Sequence, residues 1–515
     1  MATKKRYKIL LVFLFVFLSS ICIYGISIVF NFLNTGADRA SILHLPIESV
    51  DVYLPRIEWT SLENPGRPME EQTLKEIQKD YLNAWHIKNI AYRENNPYGV
   101  KDYYTDSVQK NLLNTIKYNK ENKVSVETTT LEHKPKLNFY SADGQLVTFT
   151  DQKVLEYQRV FKDGKFVFET ELASTYEVMM LLEDGFWRIR HLVKESNNPN
   201  HEESTNNGYA TTKNDTIFLA QKPFKMKGIN YYPQETPWDM FGKKFDPEVI
   251  QEDFKLIQQL NLNTIRIFVQ YEDFGKANVI DEKLKKLETT INIAKAHNLK
   301  VIVTLFDFYG DYAVQDWTLT HRHAETIVSR FKDDTTIIAW DIKNEPDLDF
   351  KNRGKQNVLK WLEYMAKEIK KYDKNHLITV GWSNFKAAKN LTDIVDIVAF
   401  HHFNDNFEND LSDLKEVTKK PILVEEYGVP SYKSIWNLFT GDSKNSQATY
   451  HKKMQNHFTK YNVSHLSWTL YDFKNIPSAV AGKLPWKRNK QKHFGFIDKD
   501  GDKKPSYEFI APKKD

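Results

Sequence analysis

Eight apolar runs recur between residues 226 and 470, and that recurrence limits the fold more than any other property of the chain. They are Met226–Tyr231, Thr264–Val269, Lys300–Leu305, Ile337–Ile342, Leu377–Val380, Ile394–Phe400, Pro421–Val424 and Ser464–Leu470. Amphipathic stretches separate most of them, including Pro247–Leu260, Leu284–His297, Val358–Tyr372 and Gln447–Tyr461. Runs that are apolar throughout belong to strands covered on both faces, and helical connections make such strands parallel. Eight strand–helix units within 215–515 predict an α/β fold, a (β/α)8 barrel with its site at the C-terminal ends of the strands. An open doubly wound sheet fits less well, because no glycine-rich phosphate loop follows the first run.

The chain has 515 residues, enough for more than one domain. Within 71–194, Leu74, Ile77, Tyr81, Leu82, Trp85 and Ile90 recur at helical spacing, and Val108, Leu112, Leu113 and Ile116 mark a second helix. Strand-like runs follow at Lys123–Leu131, Leu146–Phe161, Lys165–Leu182 and Phe186–Val193. Asp163-Gly164 and Asp184-Gly185 stand between the later ones as hairpin turns. Helices followed by an antiparallel meander predict a smaller α+β unit. That order resembles the cone-shaped fold of the nuclear-transport-factor-like superfamily. No clustered Asp/His pair in the unit compels catalysis, so it reads as a spacer or as a docking domain for a protein partner. Residues 41–70 form a proline-bearing spacer, and the polar, Asn-rich 195–214 a linker.

Ile9–Leu33 carries no charge over about 25 residues, long enough for a helix to cross a hydrocarbon core of about 30 Å. Lys4, Lys5, Arg6 and Lys8 precede it, which predicts a membrane anchor with a cytoplasmic N-terminus and the remaining chain outside. No small-x-small site follows, so the anchor is expected to stay uncleaved. The single cysteine, Cys22, lies within this stretch and excludes disulfides from the exported part. A net charge of +4 on 72 basic and 68 acidic residues gives no reason to expect a nucleic-acid partner.

Polar and aromatic residues gather at the ends of the eight runs. Asn230-Tyr231-Tyr232 stand at the end of the first, Arg266 lies in the second and Asp307 with Phe308-Tyr309 follows the third. Asn344-Glu345-Pro346 follows the fourth, Trp382 the fifth and His401 the sixth; Glu426-Tyr427-Gly428 follows the seventh, and Trp468 lies in the eighth. Two carboxylates at different strand ends are what glycosidic cleavage needs: one protonates the leaving oxygen while the other attacks the sugar or activates water. Side chains alternate along a strand, so one of Glu425 and Glu426 is expected to face the barrel and the other the helices. Phe306, Phe308, Tyr309, Tyr312 and Trp317 cluster after the third run and could line a glycan cleft. His321-Arg322-His323 reads as solvated side chains rather than a metal site, and Gly501 falls too early for the aspartates around it to form a calcium loop. No metal and no cofactor is expected.

Residues 215–511 resemble clan A of the glycoside hydrolases, family 5 and its relatives above all. The resemblance rests on Asp341-Ile342-Lys343-Asn344-Glu345-Pro346, on Val424-Glu425-Glu426-Tyr427-Gly428 and on the closing phrase Gly495–Tyr507. It implies retention of anomeric configuration, with Glu345 as acid/base and Glu426, directly before the aromatic-Gly step, as nucleophile. It further implies that Arg266 braces Glu426, that Asn344 binds the sugar 2-hydroxyl, that His401 lines the −1 subsite and that Trp468 is its floor. Phe403 stands where the family carries tyrosine, so that hydroxyl is either missing here or supplied from elsewhere, with Tyr471 the candidate. The expected activity is endo-cleavage of a β-linked polysaccharide such as a β-glucan, a mannan or an exopolysaccharide. Transglycosylation and a non-catalytic glycan-binding scaffold are the rival readings.

Overall fold

The structure is a computed structural model describing residues 53–64, 67–196, 208–432, 443–481 and 485–510. The expected anchor, Cys22 and the central part of the linker lie outside the described residues. Among the described residues no helix is long and apolar enough to cross a membrane.

The N-terminal unit is built on a six-stranded sheet. Its strands are β1 (Arg56–Ile57), β2 (Val124–His133), β3 (Pro135–Tyr140), β4 (Leu146–Lys162), β5 (Lys165–Glu183) and β6 (Phe186–Ser196). The pairing is antiparallel apart from β1 on β2. Helices α1 (Glu71–Glu94), α2 (Val100–Tyr103) and α3 (Asp106–Glu121) accompany it. Ile77, Tyr81, Ala84 and Trp85 of α1 are buried with Val147, Phe149, Val178 and Met180 of the sheet, giving the unit its own core. Both Asp-Gly turns adopt positive φ at each residue, 50° and 73° at Asp163-Gly164 and 52° and 83° at Asp184-Gly185. That twist matches the strands they join. Part of the expected spacer is built into the sheet: β1 pairs with β2, and Trp59 packs edge-on against Phe149.

The structure also brings together an Asp/His pair that lies far apart in sequence. His133 Nδ1 and Asp151 Oδ2 are 2.6 Å apart and fully buried. Tyr81 donates to the same carboxylate at 2.7 Å, the Lys134 N–H donates to its other oxygen at 2.8 Å, and Thr130 meets His133 Nε2 at 2.8 Å. Every polar atom of the pair is satisfied within the protein, as a structural network requires.

A three-stranded antiparallel sheet, β7 (Ala210–Lys213), β8 (Thr216–Leu219) and β9 (Lys222–Phe224), precedes the barrel, so its first strand lies before the expected domain boundary at 215. Ala210 and Ile217 plug the N-terminal end of the barrel, packed with Ile302, Ile338, Leu377, Leu423 and Leu466. Eight parallel strands then close on themselves. They are β10 (Lys227–Asn230), β11 (Thr264–Gln270), β12 (Lys300–Asp307), β13 (Ile337–Asn344), β14 (Leu377–Trp382), β15 (Val398–His402), β16 (Ile422–Tyr427) and β17 (Ser464–Ser467), with β10 pairing both β11 and β17. The outer helices include α4 (Pro247–Gln259), α5 (Asp281–Ala296), α6 (Trp317–Phe331), α7 (Lys355–Tyr372), α8 (Phe407–Val417) and α9 (Ser443–Tyr461). Local chemistry sets α4 clearly: Asp246 caps it by accepting from the N–H groups of Glu248 and Val249, and Pro247 takes the first helical position.

His321 and His323 are not solvated, contrary to expectation. Both lie inside α6 and are buried: His321 meets the hydroxyls of Tyr364 and Tyr372, and His323 meets the carbonyls of Lys276 and Leu305. The first unit joins the barrel through α6 and α7. Tyr157 packs on Trp317 with ring centroids 4.4 Å apart, Arg159 donates to Asn357 at 2.9 Å, and Glu169 pairs with Lys360. Tyr53–Asp515 accordingly form one compact unit.

Candidate active site

Arg266 lies on β11 without solvent exposure, as do its partners Asp341 and Glu425, while its neighbours Ile265 and Ile267 take the other face of the strand. Its guanidinium donates to Asp341 Oδ2 at 2.6 and 3.1 Å, to Glu426 Oε1 at 2.7 Å, to Asn230 Oδ1 at 3.2 Å and to Asn344 Oδ1 at 3.1 Å. Asp341 is held in turn by Thr304 Oγ1 at 2.7 Å and the Gly381 N–H at 2.9 Å. A buried guanidinium survives only with such satisfaction of its donors and charge.

Glu345 and Glu426 reach the same cavity by different backbone devices. Glu345 follows β13 in the left-handed region, φ 48° and ψ 49°, with its N–H donating to the Gly381 carbonyl at 2.7 Å. A residue bearing a β-carbon pays for that conformation, and such positions concentrate at functional sites. Glu426 is turned inward by irregular pairing: the register of β16 shifts against β15 at Phe400/His401 and against β17 between Val424 and Tyr427. Strict alternation therefore fails at Glu425-Glu426. Both side chains stand on the barrel side, with Glu425 beneath and fully buried and Glu426 7% exposed above it.

His401 bridges the two candidates. Its Nδ1 lies 2.9 Å from Glu345 Oε1 and 3.7 Å from Glu426 Oε2, so these oxygens are within 6.6 Å of each other, the sum of those distances. Retaining glycosidases hold their carboxyl groups about 5–5.5 Å apart and inverting ones about 6.5–9.5 Å. Burial drives Glu345 upward, but the hydrogen bond and charge of His401, with Arg266 and Lys343, outweigh it and leave the carboxyl below its ordinary value. Burial dominates at Glu426, which stays raised despite His401 and Arg266. The His401 ring is raised, since Glu426 and Glu345 overcome its own desolvation. The 2.9 Å contact between His401 Nδ1 and Glu345 Oε1 has room for one hydrogen, beside a nucleophile candidate tied to Arg266.

The cleft over this pair has a volume of about 470 Å3, within the range of small-molecule sites. Of the residues expected from sequence, Glu345, Glu426, Asn344, Asp307 and Trp468 line it. Arg266 and His401 lie directly beneath. Burial pushes Asp307 up to about 7, against the pull of Lys343 and Arg266. Tyr231, Tyr471 and Trp382 are not part of the lining. Tyr231 and Tyr471 both donate their hydroxyls to Asp253 of α4, behind the strands, and Trp382 packs against Phe350. Tyr471 therefore does not replace the hydroxyl missing at Phe403, which itself lines the cavity. Of the cluster after β12 only Phe308 borders the cleft. Phe306, Tyr309 and Tyr312 pack on Trp361, and Trp317 stacks on Tyr364. Tyr232, expected with Tyr231 past the first run, lines the cleft, and so do Trp238, Phe268 and Phe494, which no strand-end pattern in the sequence marked. A second cleft of about 440 Å3 opens at the opposite end of the barrel, where Lys225, Lys415, Lys419 and Lys420 border it.

Residues 219–474 match the family described as cellulase (glycosyl hydrolase family 5). Mannan endo-1,4-beta-mannosidase A of Emericella nidulans is 26% identical over 211 residues, covering 32% of this chain and 54% of that protein. Mannan endo-1,4-beta-mannosidase 3 of Arabidopsis thaliana is 21% identical over 325 residues, covering 47% of this chain and 76% of its own. The chain spans about half the length of the first of these relatives and of two from rice. A solved exo-beta-1,4-mannosidase from Opitutaceae bacterium strain TAV5 aligns with 56% of this chain and 58% of its own, at 17% identity and a TM-score of 0.47. The match over 219–474 covers β10 to β17 with both carboxylates, the arginine and the histidine between them, and the barrel of this chain is a glycosyl hydrolase family 5 domain.

Proposed function

We propose that this chain hydrolyses a β-linked polysaccharide with retention of configuration, Glu426 being the nucleophile and Glu345 the general acid/base. The observation that carries this reading is the His401 bridge, which holds two carboxylates of different strands within 6.6 Å over an open cleft. In the first step Glu426 Oε attacks the anomeric carbon as Glu345 gives its proton to the departing oxygen. Esterification removes the charge of Glu426, and Glu345, now a carboxylate, takes a proton from the water that releases the sugar. Arg266 keeps Glu426 in place and balances its charge, and Asn344, ordered by the same guanidinium, faces the sugar. The indole N–H of Trp468 is buried at the cleft without a partner among the described residues, free to donate to a sugar hydroxyl.

Mannan is the first substrate to test, because the curated relatives are named for it. Glu345→Gln and Glu426→Gln are expected to lower hydrolysis of β-linked polysaccharide by about 10²–10⁴-fold each while leaving the melting temperature near that of the parent. Undiminished hydrolysis in either variant overturns the assignment. The charge-free Ile9–Leu33 behind Lys4, Lys5, Arg6 and Lys8 supports an uncleaved anchor with the barrel outside the membrane. Release of the chain from membranes by alkaline carbonate would contradict it. The 71–194 unit is proposed to dock a protein partner, and the absence of any co-purifying protein after cross-linking on cells would count against that.

A further inference from the structure

Glu425 stands next to the nucleophile and has no part in the steps above. It is fully buried on the inner side of the barrel. Its Oε1 lies 3.5 Å from Arg266 Nε and its Oε2 4.0 Å from His401 Nε2. Among the described residues neither oxygen has a hydrogen-bond partner, and nor does His401 Nε2. Space for the carboxyl is left by Gly381, where a β-carbon would come within 2.6 Å of Glu425 Oε2 and 2.7 Å of Arg266 Nη2. Buried polar atoms without partners cost about 1–3 kcal/mol each, so three of them facing one another ask for a reason. Closing the His401–Glu425 gap to an ordinary hydrogen bond takes a shift of about 1 Å.

We propose that Glu425 is a positioning residue for the general acid: by accepting a hydrogen bond from Nε2–H of His401 it fixes the imidazole tautomer and leaves Nδ1 bare toward Glu345. The hydrogen in the 2.9 Å contact between Nδ1 and Glu345 Oε1 then has to be carried by the Glu345 carboxyl, which is the protonation state a leaving oxygen requires. The inference rests on the hydrolase reading given above. When the ring carries both protons, Nδ1–H donates to the Glu345 carboxylate. Passing that proton across breaks N–H, forms O–H, leaves the electron pair on Nδ1 and keeps Nε2–H directed at Glu425. With no acceptor below, the neutral ring keeps its proton on Nδ1 instead, and Glu345 remains ionised.

The groups around the dyad fit this polarity. Arg266 from β11 faces Glu425 as a donor, Asp341 from β13 is already committed to Arg266, and Glu345 and Glu426 lie on the Nδ1 side of the ring. Burial pushes Glu425 up to about 8 while Arg266 and His401 pull it down, and a carboxyl oxygen accepts from Nε2–H whether or not the group is ionised.

The test is nitrogen NMR of the full chain carrying ring-¹⁵N histidine, with the His401 signals identified by their loss in His401→Asn. The neutral ring is expected to be protonated at Nε2 in the parent. It is expected to be protonated at Nδ1 in Glu425→Gln, whose one oxygen takes the place facing Arg266 and leaves the NH2 group, a donor, toward His401, and in Glu425→Met. A parent ring protonated at Nδ1 overturns the proposal without any variant, and an unchanged tautomer in both variants does the same. Kinetics supply a second readout. Hydrolysis of polysaccharide should fall at least 10-fold in these variants, with the alkaline limb of kcat/KM moved to lower pH. A dinitrophenyl glycoside, whose leaving group needs little protonation, should lose less than about 3-fold. Equal losses on both substrates overturn the role. If the parent hydrolyses neither, the hydrolase reading fails by itself while the NMR result still decides the tautomer.

Discussion

His451 shows how a single buried side chain ties stability to pH. It is surrounded by the rings of Tyr427, Tyr450 and Phe496, and neither ring nitrogen has a partner among the described residues. Burial, with a smaller push from Lys504, lowers it to about 3, against about 6.5 in an unfolded chain. The folded value lies below the unfolded one, so as pH falls the unfolded chain takes up the proton first. The stability contributed by the neutral ring is complete above about pH 6.5 and is lost toward pH 3. At pH 4.5 the loss is about 3 kcal/mol. His451→Phe should therefore remove about that much from the difference in unfolding free energy between pH 7 and pH 4.5, measured by urea titration. Equal differences in parent and variant would contradict this. At the same scale, residue chemistry had announced Glu345 and Glu426, because strand-end carboxylates beside Asn-Pro and Tyr-Gly stand out as a pair. The displacement of Tyr231, Tyr471 and Trp382 from the cleft was not readable, since which side of a strand end a ring takes depends on partners such as Asp253 and Phe350.

Elements were legible where one period dominates. The eight apolar runs became β10 to β17, and the two Asp-Gly pairs became the turns of β4–β5 and β5–β6. Irregularity was not legible. The register shifts beside β16 bring Glu426 onto the same side as Glu425, and no period-2 reading of Val424-Glu425-Glu426-Tyr427 contains them. The short strands β1 and β3 and the β7–β9 sheet escaped for a related reason. Segments of two to six residues carry too little pattern to separate from the loops around them. The His133–Asp151 pair likewise depends on two strands meeting, which only the folded sheet reveals.

At the scale of the whole molecule, the 71–194 unit and the barrel share packing. Leu131 and Tyr157 belong to the barrel's apolar core although they sit on β2 and β4. Truncating the buried Tyr157 removes its contact with Trp317 and should cost about 3 kcal/mol. In calorimetry, Tyr157→Ala is expected to split one transition into two, and a single transition in the variant would contradict this coupling. The central claim, that Glu426 attacks a sugar brought over the Arg266–His401 floor, is tested most directly by trapping the ester. The full chain would be treated with 2-deoxy-2-fluoro-β-mannosyl and -glucosyl fluorides, digested, and its peptides weighed. The account predicts one added fluorosugar on the peptide containing Glu426, with fragmentation placing it on that residue. A label on any other carboxylate, or unlabelled Glu426 in protein that still hydrolyses polysaccharide, would contradict it.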